Sequence, residues 1–150
     1  MRLISHRGNT NGKVRESENK PSYIDDALSK GFDVEIDVWF VEGTWYLGHD
    51  TWQYEIDLDW MVERRLRLWV HCKNVEAVQE FKRLEEWVLL KSINYLWHQE
   101  DDLTITSHGH IWSHPKIKPL QGSVAVKPEI NNWDLTGVYG VCSDRIENYK

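Results

Sequence analysis

The chain has 150 residues, 41% of them hydrophobic, and a formal net charge of −6 at pH 7. That size and composition suit one globular domain with a real core and exclude a disordered chain. The acidic balance argues against nucleic acid as the partner, while a local basic cluster can still hold a small phosphate ligand. No segment approaches a membrane span in length. Charges and glycines appear by Gly8 with no apolar run before them, so no signal peptide and a cytoplasmic location are expected. Cys72 and Cys142 fit no common zinc or redox spacing, sit in apolar runs and are expected as buried, reduced thiols. Nine tryptophans supply large apolar faces, either to the core or, at Trp39, Trp45, Trp97 or Trp112, to the walls of a site.

In chain order, Arg2 to His6 reads as a short strand and Gly8 to Lys20 as a polar loop. Pro21 suits the first turn of a helix and Gly31 the residue past its end, with Tyr23, Ile24, Ala27 and Leu28 at helical spacing between them. Asp33 to Val41 is a strand, because Val34, Ile36 and Val38 alternate with Asp33, Glu35 and Asp37. Glu42-Gly43 turns the chain back into a strand from Thr44 to Leu47. Asp57 to Leu66 is a candidate helix and Leu68 to Lys73 the next strand. Asn74 then caps an amphipathic helix with Val75, Val78, Phe81, Leu84 and Val88 on one side. Beyond a strand at Ile93 to His98 the pattern changes. Leu103 to Ser107, Ile111 to His114, Ser123 to Lys127 and Val138 to Ser143 are strand-like, with room for at most one helical turn at Asn131 to Thr136.

The first half alternates strand and helix, which favours a parallel sheet with covering helices. About eight strands is the number that closes a (β/α)8 barrel. The fold expected is therefore α/β, a reduced (β/α)8 TIM-type barrel in a single domain over 1–150, with helices missing in the second half. An open sheet and a barrel completed by a second chain are the alternatives. A barrel this short would expose apolar surface, which makes a homodimer the candidate assembly.

Glu35 and Asp37 lie two apart on one strand, so they share a face. Two carboxylates so close raise each other's pKa unless a cation sits between them, and a hard divalent ion with oxygen ligands meets that need. A solvent-facing polar strand is the bland alternative. Arg7 offers a planar fork suited to phosphate, and Gly8 permits a sharp turn with exposed backbone N–H groups. His6 ends the first strand and His49 lies between Gly48 and Asp50, so two imidazoles are available as general base and general acid. His98 and Asp101 follow a strand and are candidates for the mouth of the barrel, with a plain polar turn as the alternative. His108, His110 and His114 tempt a zinc reading, but a solvated loop is the better account of so weak a spacing.

These residues together, His6-Arg7-Gly8, Glu18-Asn19, Ala27, Gly31, Glu35-x-Asp37-Val38 and Gly48-His49-Asp50, closely resemble the opening half of the glycerophosphodiester phosphodiesterases. That family lies within the phosphatidylinositol phospholipase C-like phosphodiesterases. The likeness covers roughly the first third of the chain and continues more weakly through Lys73 and Gly140-Val141-Cys142-Ser143-Asp144. It implies a (β/α)8 barrel with a divalent metal, usually Mg²⁺ or Ca²⁺, on Glu35 and Asp37. It further implies His6 and His49 as the acid/base pair, Arg7 on the phosphate, and a small-molecule phosphodiester as substrate. The chain departs from the family on the third strand, where Glu-x-Lys is usual and His71-Cys72-Lys73 stands here. Lys73 keeps the phosphate-facing place. His71 removes a negative charge, and either ligates a softer ion such as Mn²⁺ or Zn²⁺ or marks weakened metal binding. Glu129 is a candidate for the missing carboxylate. The chain is also shorter than usual, mainly in its second half. A degenerate barrel that binds a phosphorylated ligand, and a lyase that releases a cyclic phosphate, are the alternatives to a hydrolase.

Overall fold

The structure is a computed structural model that describes Met1–Lys150. Its elements in order are β1 (Arg2–His6), α1 (Pro21–Ser29), β2 (Asp33–Val41), β3 (Thr44–Leu47), β4 (Tyr54–Ile56), α2 (Leu58–Arg64), β5 (Leu68–Cys72), α3 (Val75–Leu84), β6 (Asn94–Leu96), β7 (Leu103–Ile105), β8 (Ile111–Ser113), β9 (Val124–Val126) and β10 (Gly140–Ser143). Short 3-10 turns at Leu90–Ser92, Pro128–Ile130 and Ile146–Tyr149 complete it.

The strands form a curled mixed sheet. Parallel pairings run β6-β5-β2-β1-β10-β9-β8, and β7 closes the path antiparallel to β8. Long β2 outlasts β1 on one edge. It pairs with β1 over Asp33 to Glu35 and then with β3 over Val38 to Val41, so β3 and β4 form an antiparallel flap beyond the parallel strands. The two ends of the path are tied together where Ser107 N donates to Tyr95 O (2.7 Å) and Thr104 Oγ1 to Trp97 O (3.0 Å). The result is a partial barrel, as far as the expected TIM-type closure is borne out.

Strand alternation sorts the side chains into two cores. Val34, Ile36, Val38, Val70 and Cys72 turn outward and pack against Ile24, Ala27, Met61, Ala77, Phe81 and Leu84 of the helices. Ile4, Trp69, Leu96, Trp112, Val124, Val126 and Cys142 fill the inside of the curl. One step further along the same inward face come His6, His71, His98, His114 and Asp144, near the carboxyl ends of their strands. Inward apolar layers below and polar ends above are what a parallel barrel-like sheet requires of a pocket.

The helix ends follow local chemistry. Asp57 accepts from Trp60 N (2.7 Å) and starts α2. Asn74 caps α3 and also binds the backbone N and O of Phe40, locking the helix start onto β2. Two expectations change. The buried side of α3 is Ala77, Phe81 and Leu84, while Val75 is 50% and Val88 83% exposed, because the helix stops at Leu84 and Val88 lies beyond it. The helical turn expected at Asn131 to Thr136 forms earlier, at Pro128–Ile130, where proline presets the first φ. The strand β4 escaped the pattern because only three residues pair. Both cysteines are free and buried, as expected, and no helix is long and apolar enough to cross a membrane.

Candidate active site

Strand β2 puts Glu35 and Asp37 on the inner face, and both are buried, at 2% and 0% exposure. The solvent-facing alternative is thereby overturned. Asp37 is held from several sides. Asn19 Nδ2 donates to its Oδ2 (2.9 Å), while Asn19 Oδ1 accepts from the Asp37 backbone N–H (2.9 Å). Arg7 Nε lies 2.9 Å from Oδ2, close enough for an ion pair but misaligned for a hydrogen bond. His71 Nδ1 stands 3.3 Å and Lys73 Nζ 3.7 Å from Oδ1. Glu35 has thinner company, with His6 Nε2 at 3.9 Å and His71 Nδ1 at 3.8 Å.

The electrostatics of the pair follow from that asymmetry. Burial and the neighbouring Asp37 charge push the Glu35 carboxyl well above its ordinary range. Burial would also raise Asp37, but contact with His71 and the charges of Arg7 and Lys73 outweigh it and hold that carboxyl far below the usual range. Glu35 Oε2 and Asp37 Oδ1 remain buried without a hydrogen-bond partner. Buried carboxylate oxygens left unpaired are costly unless something cationic meets them. Glu35, Asp37 and His71 each offer a ligand atom, all within 4.8 Å of one another. His71 Nε2 faces the His98 carbonyl oxygen at 3.5 Å, which leaves Nδ1 as the nitrogen turned to the carboxylates. This donor set fits a divalent cation, and its imidazole suits Mn²⁺ or Zn²⁺ as well as a harder ion.

Next to it, Asp144 Oδ1 lies 2.6 Å from His6 Nδ1. An ionised carboxylate only accepts, so Nδ1 carries the proton and Nε2 keeps its lone pair toward Glu35. Burial would raise Asp144, but hydrogen bonds from His6 and Asn9 and the charge of Lys127 hold it well below the carboxylate range. Burial, with the charges of Arg7 and Lys127, outweighs the contact with Asp144 and lowers the His6 pKa. His6, Glu18 and Asp144 are also close enough to share an ion. Here, however, the protein already answers the charges: Asn9 Nδ2 donates to both carboxylates (2.9 Å each), and Lys127 Nζ is 3.2 Å from Asp144.

Backbone geometry places these groups. Arg7 and Asn19 adopt φ of 57° and 64°, uncommon for residues with a Cβ. Gly8 follows at φ 92°, where a Cβ would meet the Tyr23 ring at 2.6 Å. Gly48 is required more strictly, since a Cβ there would sit 2.0 Å from Thr51 O. The turn it makes presents His49, whose Nδ1 lies 2.7 Å from Asp50 Oδ1. Burial and Arg7 lower the His49 pKa.

His6, Arg7, Glu35, His49, His71 and Lys73 all border one cavity of about 380 Å³, while Asp37 is fully buried and does not border it, meeting His71 and Lys73 from beneath. His98 joins them, stacked on His71 with ring centroids 4.5 Å apart. Glu129 does not. Its oxygens accept from Ser143 Oγ (2.8 Å) and Tyr149 Oη (3.2 Å), so it ties β10 to the last 3-10 turn instead of joining the metal-type cluster. Asp101 is exposed, outside the cavity lining. The three later histidines separate: His108 contacts Lys91 O, His110 stacks on Tyr139, and His114 alone borders the cavity. Trp97 and Trp112 line the cavity, whereas Trp45 lies in the outer core and Trp39 packs on Trp52. The roles of Asp144, Asn9 and Lys127 were not read from the sequence, and the strand-end position of Asp144 was the one signal that could have found it.

No protein-family model, curated protein or solved structure matches this chain.

Proposed function

We propose that this chain is a metal-assisted phosphodiesterase with a reduced TIM-type barrel, acting on small glycerophosphodiester-like substrates. The observation that carries this reading is the buried Glu35-Asp37-His71 donor cluster, of which Glu35 and His71 border the same cavity as a His6 ring held by Asp144. A divalent cation on Glu35, Asp37 and His71 would supply charge stabilisation to the phosphoryl oxygens. Arg7 and Lys73 orient the phosphate and add fixed positive charge. His6 Nε2 takes the proton from the attacking hydroxyl, which is water or a neighbouring hydroxyl of the substrate. A bond forms from that oxygen to phosphorus, the bond to the alcohol oxygen breaks, and His49 gives the leaving alkoxide its proton. The Asp144 carboxylate keeps the His6 tautomer and stabilises the imidazolium as it forms.

The test is hydrolysis of bis(p-nitrophenyl) phosphate and of glycerophosphodiesters after EDTA treatment, with Mg²⁺, Ca²⁺, Mn²⁺ or Zn²⁺ restored. Metal-dependent release that Glu35→Gln and His6→Ala abolish while remaining folded is the expected result. Full activity in those variants would overturn the assigned roles. Phosphorus NMR of the product separates a hydrolysed ester from a cyclic one. Saturable phosphate-ester binding without release under any metal would instead mark a barrel that binds and does not cleave.

A further inference from the structure

Opposite the proposed reacting groups, the cavity wall comes from the ends of β6, β8 and β9 and presents His98, Gln99, His114 and Lys127. The chemistry above leaves His98, Gln99 and His114 without a task. No carboxylate from these strands borders the cavity; the one lining carboxylate is Glu35, on β2. The His98 ring stacks on His71, at 7° between planes, and meets His114 edge-on at 6.3 Å. A row of imidazoles thus leads from the donor cluster across the wall. His98 Nδ1 and His114 Nδ1 are buried without hydrogen-bond partners.

Two lysines border the cavity beside these rings, each with a carboxylate on its far side: Lys73 Nζ lies 3.7 Å from Asp37 and Lys127 Nζ 3.2 Å from Asp144. Besides burial, Lys73 lowers the His98 pKa against Asp101, and Lys116 and Lys127 lower that of His114 against Asp102. The neighbouring acids Asp101 and Asp102 are exposed and lie outside the lining. Lys127 takes φ 46°, a left-handed conformation that a residue with a Cβ seldom adopts, and its backbone N–H is fixed by Cys142 O (2.7 Å). Backbone strain of this kind gathers where a side chain must be aimed. A quaternary ammonium group would find aromatic faces here in Trp97 and Trp112, but it would also face the fixed charges of Lys73 and Lys127.

We propose that this wall is a second anion subsite, in which His98, His114 and Lys127 receive a phosphomonoester or carboxylate carried on one alcohol of the phosphodiester. The proposal deepens the phosphodiesterase reading and rests on it for the ester itself. At about 380 Å³ the cavity is at the small end for ligand pockets and suits a short polar alcohol bearing one further charged group.

Binding tests it without any turnover. Calorimetry on the full chain compares propyl phosphate with two doubly anionic probes, 1,3-propanediol bisphosphate and the phosphate ester of 3-hydroxypropionate. Both probes should bind the natural chain at least about tenfold more tightly than propyl phosphate, the increment of one charge-assisted contact. In the His114→Gln variant that ratio should fall toward one while the propyl phosphate Kd stays put, and His114→Asn repeats the test if the first variant does not fold. Tighter binding of one probe than the other identifies the anion. A ratio near one in the natural chain, or a ratio that survives the substitutions, would overturn the subsite. If turnover fails but the ratio holds, the subsite stands and the hydrolytic reading falls.

Discussion

The two halves of this molecule are built differently. From β1 to α3 the sheet is backed by three helices over most of a cluster of eighteen buried hydrophobic residues, which Leu90, Ile93 and Tyr95 extend toward β6. From β6 to β10 the outside carries no α-helix, only 3-10 turns and a small cluster in which Val141 and Ile146 pack with Phe32 from before β2. Yet both halves deliver side chains to one cavity. The helix-backed half supplies Arg7, Glu35, His71 and Lys73, and the thin half supplies His98, His114 and Lys127, with Asp144 behind His6. Stability and site construction are therefore separable: a short strand paired in register aims a side chain inward whether or not a helix covers its back.

Several measurements would break or sharpen that contrast. The largest effect is expected from the thin half. Asp144→Asn cannot hold His6 in its present tautomer, and steady-state kinetics should show kcat reduced by about 10²–10⁴-fold with the circular dichroism spectrum kept. An unchanged kcat would remove Asp144 from the site. For stability the order reverses. Phe81→Ala empties a buried position between Trp45 and Tyr95 and should cost about 3–5 kcal/mol in urea unfolding. Ile105→Ala, at an exposed position on β7, should stay within about 0.5 kcal/mol. Comparable losses at both positions would mean that the thin half carries more of the core than its clusters indicate.

His71→Glu restores an all-carboxylate donor set and should move the activating ion from Mn²⁺ or Zn²⁺ toward Mg²⁺ or Ca²⁺ in the EDTA-and-restore assay. An unchanged metal order would take His71 out of the donor set. The smallest effect concerns pH. Burial, with Lys73 and the neighbouring imidazoles of His71 and His114, lowers His98 to about 4. The unfolded chain would protonate that ring below its ordinary value of about 6.5. The unfolded state then binds the extra proton, so stability falls as pH drops from 6.5 toward 4. His6 acts in the same direction. The Tm of His98→Gln should decline less steeply over that window than the Tm of the natural chain, and parallel curves would discard the assignment.

Local chemistry made much of this legible in the sequence. The alternation along Asp33 to Val41 set Glu35 and Asp37 against an apolar face, Pro21 and Asn74 marked helix starts, and Gly8 and Gly48 marked turns that admit no side chain. Each of those signals acts within a few residues, so periodicity and turn chemistry read them directly. Glu129 shows the limit of such reading. Its place after a strand suggested a metal ligand, but a left-handed Lys127 and the following 3-10 turn direct it to Ser143 and Tyr149 instead. Tertiary structure alone decided that Asp144 would reach His6 across 138 positions of sequence. It likewise decided that His71, His98 and His114 would line up and that His108 and His110 would not. Those neighbours are chosen by which strand pairs with which and in what register, and the register of a parallel ladder depends on the closing of the whole sheet.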